Sequence, residues 1–280
     1  MRWVTAPSGA RLAFVGGVVV KVHHERTSSS DLTARLEAVA GSSLRAVFVP
    51  PAAAEVATAP DGSLVTAWPD VRVLGIDDEI PWPSIGRLLA RLHRLPVPPG
   101  LPPHAATERL SRAVERARTL DDEATRALLV ELGERLLREF RQVREVGDVE
   151  ERAQRHTAGS AVPRRISAVH GDFHLGQVGI WDDGWRLLDL DDVGVGNPAW
   201  DLARPAGFWA AGLLGDAEWA AFLDGYRGAG GPAVPADGDP WPPLDLAARA
   251  AVHVAAVRVL ARPVHSDLTA DALLAACRRM

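Results

Sequence analysis

Short apolar runs fill the first seventy positions, and helical spacing takes over beyond them. Arg2–Ala6, Ala10–Val15 and Val18–His23 are β-prone stretches separated by Pro7-Ser8-Gly9 and Gly16-Gly17, which predicts three strands joined by turns. The segment SSSDLTARLEAVAG then places Leu32, Leu36 and Val39 at i, i+4 and i+7. It has Ser and Asp at its start and Gly41 at its end, the signature of an amphipathic helix. RAVFVP (45–50) and SLVTAWP (63–69) predict two more strands. From Trp82 the period lengthens: Ile85, Leu88, Leu89 and Leu92 form one apolar face ahead of Pro96. Further helices are expected over Arg109–Leu120, Glu123–Val146, Trp219–Tyr226, Asp245–Leu260 and Ala270–Arg279, with the Pro/Gly-rich GAGGPAVPADGDPWPP as a surface loop. The charges on these helices read as solvated faces.

Composition narrows the function classes. A net charge of −5 and the lack of any basic run argue against a nucleic-acid partner. The stretch GFWAAGLLGDAEWAAFL is interrupted by Asp216 and Glu218, too early for a membrane span. Cys277 is the only cysteine, so no internal disulfide exists, and without an apolar leader the expected compartment is the cytoplasm. A monomer or weak dimer is expected. The chain also holds thirty arginines and a single lysine, Lys21, set in the apolar run GGVVVKVHH. Lysine presents a compact ammonium where arginine presents a broad fork, so Lys21 suits a point charge aimed into a tight place, or an edge strand kept from aggregating.

The densest chemistry lies in AVHGDFHLGQVGIWDDGWRLLDLDDVGVGNPAWDLA, residues 168–203. VGIW, Asp182-Asp183-Gly184 and WRLLDL predict a hairpin. Pairing Trp181 with Trp185 sets Gln177 opposite Asp189, with Asp172 in the loop just before. Three oxygen-bearing side chains at one end of one hairpin suit Mg²⁺, which takes few protein ligands alongside phosphates and water. Asp182 and Asp183 are turn residues, and Asp191 or Asp192 can serve merely to solvate a strand end. Asp189 follows Leu187-Leu188, where an unpaired carboxylate is costly. His170 and His174 have a spacing that would suit zinc on a helix, but here they flank a loop. His23 and His24 read as strand or loop residues.

His170-Gly171-Asp172 followed by Gln177, then Leu188-Asp189-Leu190-Asp191, then Gly196-Asn197-Pro198-Ala199-Trp200-Asp201-Leu202-Ala203, resembles the aminoglycoside phosphotransferase and choline kinase-like family. Leu89-Ala90-Arg91-Leu92-His93 before Pro96 is similar to that family's first C-lobe helix. Gln177 stands where the family has Asn, and this version of the motif also resembles bacterial sugar kinases of the maltokinase type. The resemblance implies an α+β, bilobal protein-kinase-like fold. Residues 1–70 would form a small β-rich N-lobe and residues 71–280 a larger, mainly α-helical C-lobe. It further implies that Lys21 contacts nucleotide phosphates and pairs with a helical glutamate, for which Glu37 is the candidate. Ser8 and Gly9 would form a reduced phosphate loop, and the backbone of Ala67 and Trp68 a hinge for adenine. Asp172 would be the catalytic base, with Gln177 and Asp189 as ligands to Mg²⁺. His170, Asn197 and Asp201 would brace the loop, His170 against Asp201.

The expectation is thus an ATP- or GTP-dependent phosphotransferase acting on a hydroxyl of a small molecule. A cationic antibiotic is the expected acceptor, drawn by acids near Asp216, Glu218 and Asp224, which would equally suit a solvated helix face. Alternatives are a sugar or amino-alcohol kinase, a kinase-like nucleotide-binding protein without turnover, and a metal-dependent hydrolase.

Overall fold

The computed structural model describes residues 2–5, 9–75, 78–156, 166–262 and 267–280. Three strands, β1 (Arg2–Thr5), β2 (Arg11–Val15) and β3 (Val18–Val22), run antiparallel. Gly16 (φ 57°) and Gly17 (φ 80°) supply the left-handed turn between β2 and β3, where the strand twist favours two such residues. The sheet continues through β5 (Leu64–Pro69) to β4 (Ala57–Thr58) in the order β1-β2-β3-β5-β4. Lys21 therefore sits on the central strand, opposite Leu12 on one side and Thr66 on the other.

Helix α1 (Ser29–Gly41) begins at Ser28, whose hydroxyl accepts the Asp31 amide, and it buries the expected Leu32, Leu36 and Val39. The strand expected over 45–50 does not form. Ser42 caps the Leu44 amide and starts a short 3₁₀ turn over Ser43–Ala46. Only the following residues are extended: Val47 and Val49 flank a single parallel bridge from Phe48 to Leu187.

Between Asp70 and Arg72 the chain changes partners. The Asp70 amide still bonds Gly17, whereas β6 (Arg72–Val73) pairs with β8 (Val178–Trp181), which in turn pairs with β9 (Gly184–Leu187). A second ribbon joins β7 (Ser167–Val169) to β10 (Gly194–Gly196). The helices are α2 (Trp82–Arg94), α3 (Ala106–Ala117), α4 (Glu123–His156), α5 (Ala199–Ala210), α6 (Asp216–Gly228), α7 (Trp241–Leu260) and α8 (Asp267–Arg279). The architecture is the α+β arrangement expected of a kinase-like chain. Helix α5 was not foreseen, because Pro205 lies inside it and reads as a breaker.

Two apolar cores hold these layers. One joins Phe48, Leu89, Leu187, Leu202 and Phe222 beneath the hairpin. The other packs α3, α4, α7 and α8 through Leu110, Leu129, Leu136, Ala256 and Leu273, and it contains the buried Cys277. Helices α2 and α6 touch backbone to backbone. A Cβ at Gly86 would stand 2.1 Å from the Phe222 carbonyl oxygen, and one at Gly225 would stand 2.2 Å from that of Pro83. Among the described residues, no helix is long and apolar enough to cross a membrane.

Candidate active site

The hairpin forms, one register step from expectation. Ile180 faces Trp185 and Trp181 faces Gly184, which leaves a two-residue turn. Asp182 (φ 49°) and Asp183 (φ 56°) both adopt the left-handed conformation, the two-residue geometry that matches strand twist. Gln177 is thereby opposite Leu188, whose amide bonds the Gln177 carbonyl at 2.9 Å. A one-residue slip should send Asp189 to the other face. Asp189 escapes because β9 has ended and its own backbone turns left-handed (φ 66°). Gln177 Nε2 lies 3.4 Å from Asp189 Oδ2. The two residues meet as expected, through a backbone kink in place of register.

Lys21 reaches across from β3 to the same point. Its Nζ is 2.6 Å from Asp189 Oδ1 and 2.8 Å from Asp191 Oδ2, with the side chain only 9% exposed. Burial pushes the ammonium's pKa down, but the two carboxylates outweigh it and leave the group above its ordinary value. Burial likewise raises the Asp189 carboxyl, and Lys21 more than reverses that, so Asp189 stays ionised. The pairing expected with Glu37 is corrected: Glu37 points to solvent on α1 and makes no ion pair among the described residues. The buried face of α1 carries Arg35 instead, whose Nε donates to the Val193 carbonyl at 2.7 Å. The partner of Lys21 is Asp191, which sequence reading had treated as a solvating strand end.

His23 supports Asp191 from behind. Its Nδ1 is 3.1 Å from Asp191 Oδ1, and its Nε2 is 2.8 Å from Thr66 Oγ1. The Trp68 indole N–H donates to the same hydroxyl at 2.9 Å. With Trp68 as its donor, Thr66 can give its own proton to His23 Nε2, which places the ring proton on Nδ1, facing Asp191. Trp68 thus braces this network through its side chain. Its backbone groups point toward β3, because alternate residues of β5 face alternate neighbours and Leu64 bonds the His23 amide. The Ala67 carbonyl faces the opposite edge and accepts the Ala52 amide at 2.9 Å. The expected adenine contacts at Ala67 and Trp68 are therefore corrected, since both groups are spent within the chain. Gly9 (φ 90°) stands beside His24 at the end of the sheet, where a Cβ would come 3.1 Å from that ring. Ser8 lies outside the described residues.

Asp172 occupies the loop after β7, and Asp201 holds that loop in place. Asp201, fully buried, accepts the His170 amide at 2.7 Å, the Gly171 amide at 2.8 Å and His93 Nε2 at 2.9 Å. His93 Nδ1 lies 2.7 Å from the Tyr226 hydroxyl. His170 meets Asp201 through its backbone, while its ring Nε2 bonds the Leu188 carbonyl at 2.8 Å. Asn197 accepts the Ala199 amide at 2.9 Å, so it caps the start of α5 and stands outside the loop itself. Asp216 and Glu218 are likewise occupied at the start of α6, with the Trp209 indole and the Gly215 amide.

Two arginines that periodicity had consigned to the surface frame Asp172. Arg109 Nη1 and Arg204 Nη2 each stand 3.1 Å from Asp172 Oδ1, and Arg109 Nη2 is also 2.6 Å from Asp192. Burial would raise the Asp172 carboxyl, but Arg109 and then Arg204 hold it below the usual carboxylate range. His174, nearby, is pushed down to about 4 by burial and by Arg204. Two carboxylates thus lie on either side of the hairpin mouth. Asp189 is tied to an ammonium from the sheet, and Asp172 to guanidiniums from the helices.

A family model described as the phosphotransferase enzyme family matches residues 82–245. Among solved structures, an amicoumacin kinase in complex with AMP-PNP and Ca²⁺ is similar over 99% of this chain and 83% of its own, at 15% identity and a TM-score of 0.59. A choline kinase from Cryptosporidium parvum is similar over 99% and 87%, at 11% identity and a TM-score of 0.59. An aminoglycoside phosphotransferase from Streptomyces rimosus covers 89% and 90%, at 19% identity and a TM-score of 0.55. No curated protein matches the chain.

Proposed function

The chain belongs to the phosphotransferase enzyme family, and on that premise we propose that it moves the terminal phosphoryl group of ATP or GTP onto a small-molecule hydroxyl held by Asp172. The observation that carries the reading is the pair of unlike carboxylates, one facing Lys21 and one facing arginines, on two sides of a single hairpin. Lys21 anchors the nucleotide phosphates as a compact cation. Asp189 keeps Oδ2 clear of Lys21 and beside Gln177, so the site offers a carboxylate and a carboxamide oxygen, the hard donors that Mg²⁺ prefers. These two residues would hold Mg²⁺, and the ion would neutralise charge on the phosphates. The division of labour would run between a nucleotide-binding lobe, residues 1–70, and an acceptor-binding lobe, residues 71–280.

Asp172 is ionised at neutral pH, so it accepts a hydrogen bond from the acceptor hydroxyl and fixes its direction. The hydroxyl oxygen bonds to the terminal phosphorus as the bond from phosphorus to the bridging oxygen breaks. The hydroxyl proton passes to Asp172, and the nucleoside diphosphate leaves. Asp201 keeps the loop amides in place while this happens.

Paired substitutions test the assignment. Asp172→Asn should lower kcat by about 10²–10⁴-fold, the usual contribution of a positioned acid–base group, with nucleotide Kd little changed. Asp189→Asn should weaken Mg²⁺-nucleotide binding as well as rate. Equal, small effects on both quantities would refute these roles.

A further inference from the structure

The cavity beside Asp172 is small and carries an excess of positive charge. It measures about 30 Å³ and is lined by Asp172, Arg109 and Arg204 among apolar residues that include Phe173, Trp200 and Val254. That is room for one small polar group or a pair of waters. Arg109 divides itself between Asp172 and Asp192. Arg204 has only Asp172, and it shares with Arg109 the single oxygen Oδ1. Arg258 stands one turn beyond Val254 on the same face of α7. It acts electrostatically on Asp172, His174 and Arg204, and it makes no ion pair or hydrogen bond among the described residues. Three guanidiniums therefore face two carboxylates, with His174 neutral at physiological pH. Burial, Arg109 and Arg258 together depress Arg204 despite Asp172, as expected of a cation short of anions. The acids once expected to draw an amine lie in α6, outside this cavity.

We infer that the acceptor carries an acidic group, a carboxylate or a phosphate ester, which Arg204 and Arg258 bind beside the hydroxyl that Asp172 orients. The proposal rests on the phosphotransferase reading for the role of that hydroxyl, whereas the anion site stands on the arginines themselves. A planar fork recognises either oxyanion through paired hydrogen bonds. An acceptor amine placed there meets like charge at short range and is disfavoured. The anion also frees Asp172, because guanidiniums now drawn to its Oδ1 gain a second partner. Arg204 and Arg258 thereby become specificity-determining residues.

The test uses acceptors that differ only in charge at one carbon: gluconate, glucose and glucosamine, with 6-phosphogluconate as the phosphate-bearing member. Calorimetric titration at constant ionic strength is run on the full chain, with and without saturating Mg²⁺ and AMP-PNP. Saturable binding is expected for the acidic members, at least tenfold tighter than for glucose, and none for glucosamine. The relative strength of gluconate and 6-phosphogluconate separates a carboxylate site from a phosphate site. Arg258→Gln should weaken the acidic members at least tenfold while leaving AMP-PNP affinity unchanged, and Arg258→Lys should recover part of the loss. Equal binding of all members, preference for glucosamine, or no binding of any would overturn the inference. So would a loss of AMP-PNP affinity in Arg258→Gln, which would assign the arginine to the nucleotide. Failure of AMP-PNP to bind the unaltered protein would overturn the phosphotransferase reading, and the anion titration without nucleotide would still stand as its own result.

Discussion

Replacing Asp201 with Asn separates the loop's support from its chemistry. The carboxylate receives three N–H donors on two oxygens: the amides of His170 and Gly171, and His93 Nε2. An Asn of nearly the same shape keeps one oxygen and puts an NH₂ where the other stood. Whichever way the amide turns, donor faces donor in a site with 0% exposure. An orphaned buried donor costs about 1–3 kcal/mol, and a broken buried ionic network about 3–5 kcal/mol, so a loss near 3 kcal/mol is expected. With a urea slope of about 3 kcal/mol per M, the unfolding midpoint should fall by about 1 M. The displaced loop carries Asp172, and a misplacement of about 1 Å costs about 100-fold in rate. The assay pairs urea titration followed by tryptophan fluorescence with kcat from ADP release on an active acceptor. Nucleotide Kd should stay within about twofold, because Lys21 and Asp189 draw no support from Asp201. An unshifted midpoint with unchanged kcat would refute the claim that Asp201 organises the loop.

Three further outcomes follow from other contacts. Lys21→Arg should raise the Kd for Mg²⁺-nucleotide by about tenfold or more, because the wider guanidinium does not fit between Asp189 and Asp191; equal affinity by calorimetry would remove the reason for a lysine there. His174 takes up a proton near pH 4 when folded but at its ordinary value, near 6.5, when unfolded, so protons favour unfolding between the two. Tm should therefore fall as pH drops through that window, and His174→Gln should flatten the slope; parallel slopes would exclude His174 as the cause. Gly86→Ala should destabilise the chain by about 3 kcal/mol through overpacking against the Phe222 carbonyl, read as a lowered urea midpoint. A midpoint equal to that of the unaltered chain would show that α2 and α6 can separate without cost.

Local signals located most of this architecture. The strands around Gly16-Gly17, the capped helix after Ser28 and the hairpin at Asp182-Asp183 were readable because turn chemistry and period act over a few residues. Register was misjudged by one, since an Asp-Asp-Gly triplet reads as a longer turn and the left-handed pair at Asp182 and Asp183 is visible only in the backbone. Pro205 concealed α5. Lys21 was singled out by composition, but its partner was misassigned: Glu37 has the spacing along the chain, and the facing of α1 is decided by packing. Arg109, Arg204 and Arg258 carried no signal of their own. In amphipathic helices rich in Arg, the few that turn inward look like the many that do not. His93 and His23 were hidden for the same reason, each set in an apolar run with its carboxylate more than a hundred residues away.

The buried Cys277 has a practical consequence. Burial pushes its thiol up to about 12, and the reactive species is the thiolate. At pH 7.5 only roughly three molecules in 100,000 carry it, and those remain enclosed by the second core. The native chain is thus close to inert toward maleimides while folded. A cysteine introduced at exposed Glu37 would be labelled alone, without first removing Cys277 and opening a gap among Leu110, Leu129 and Leu273. A single dye on α1 can then report how that helix moves as nucleotide arrives, on an otherwise unaltered protein.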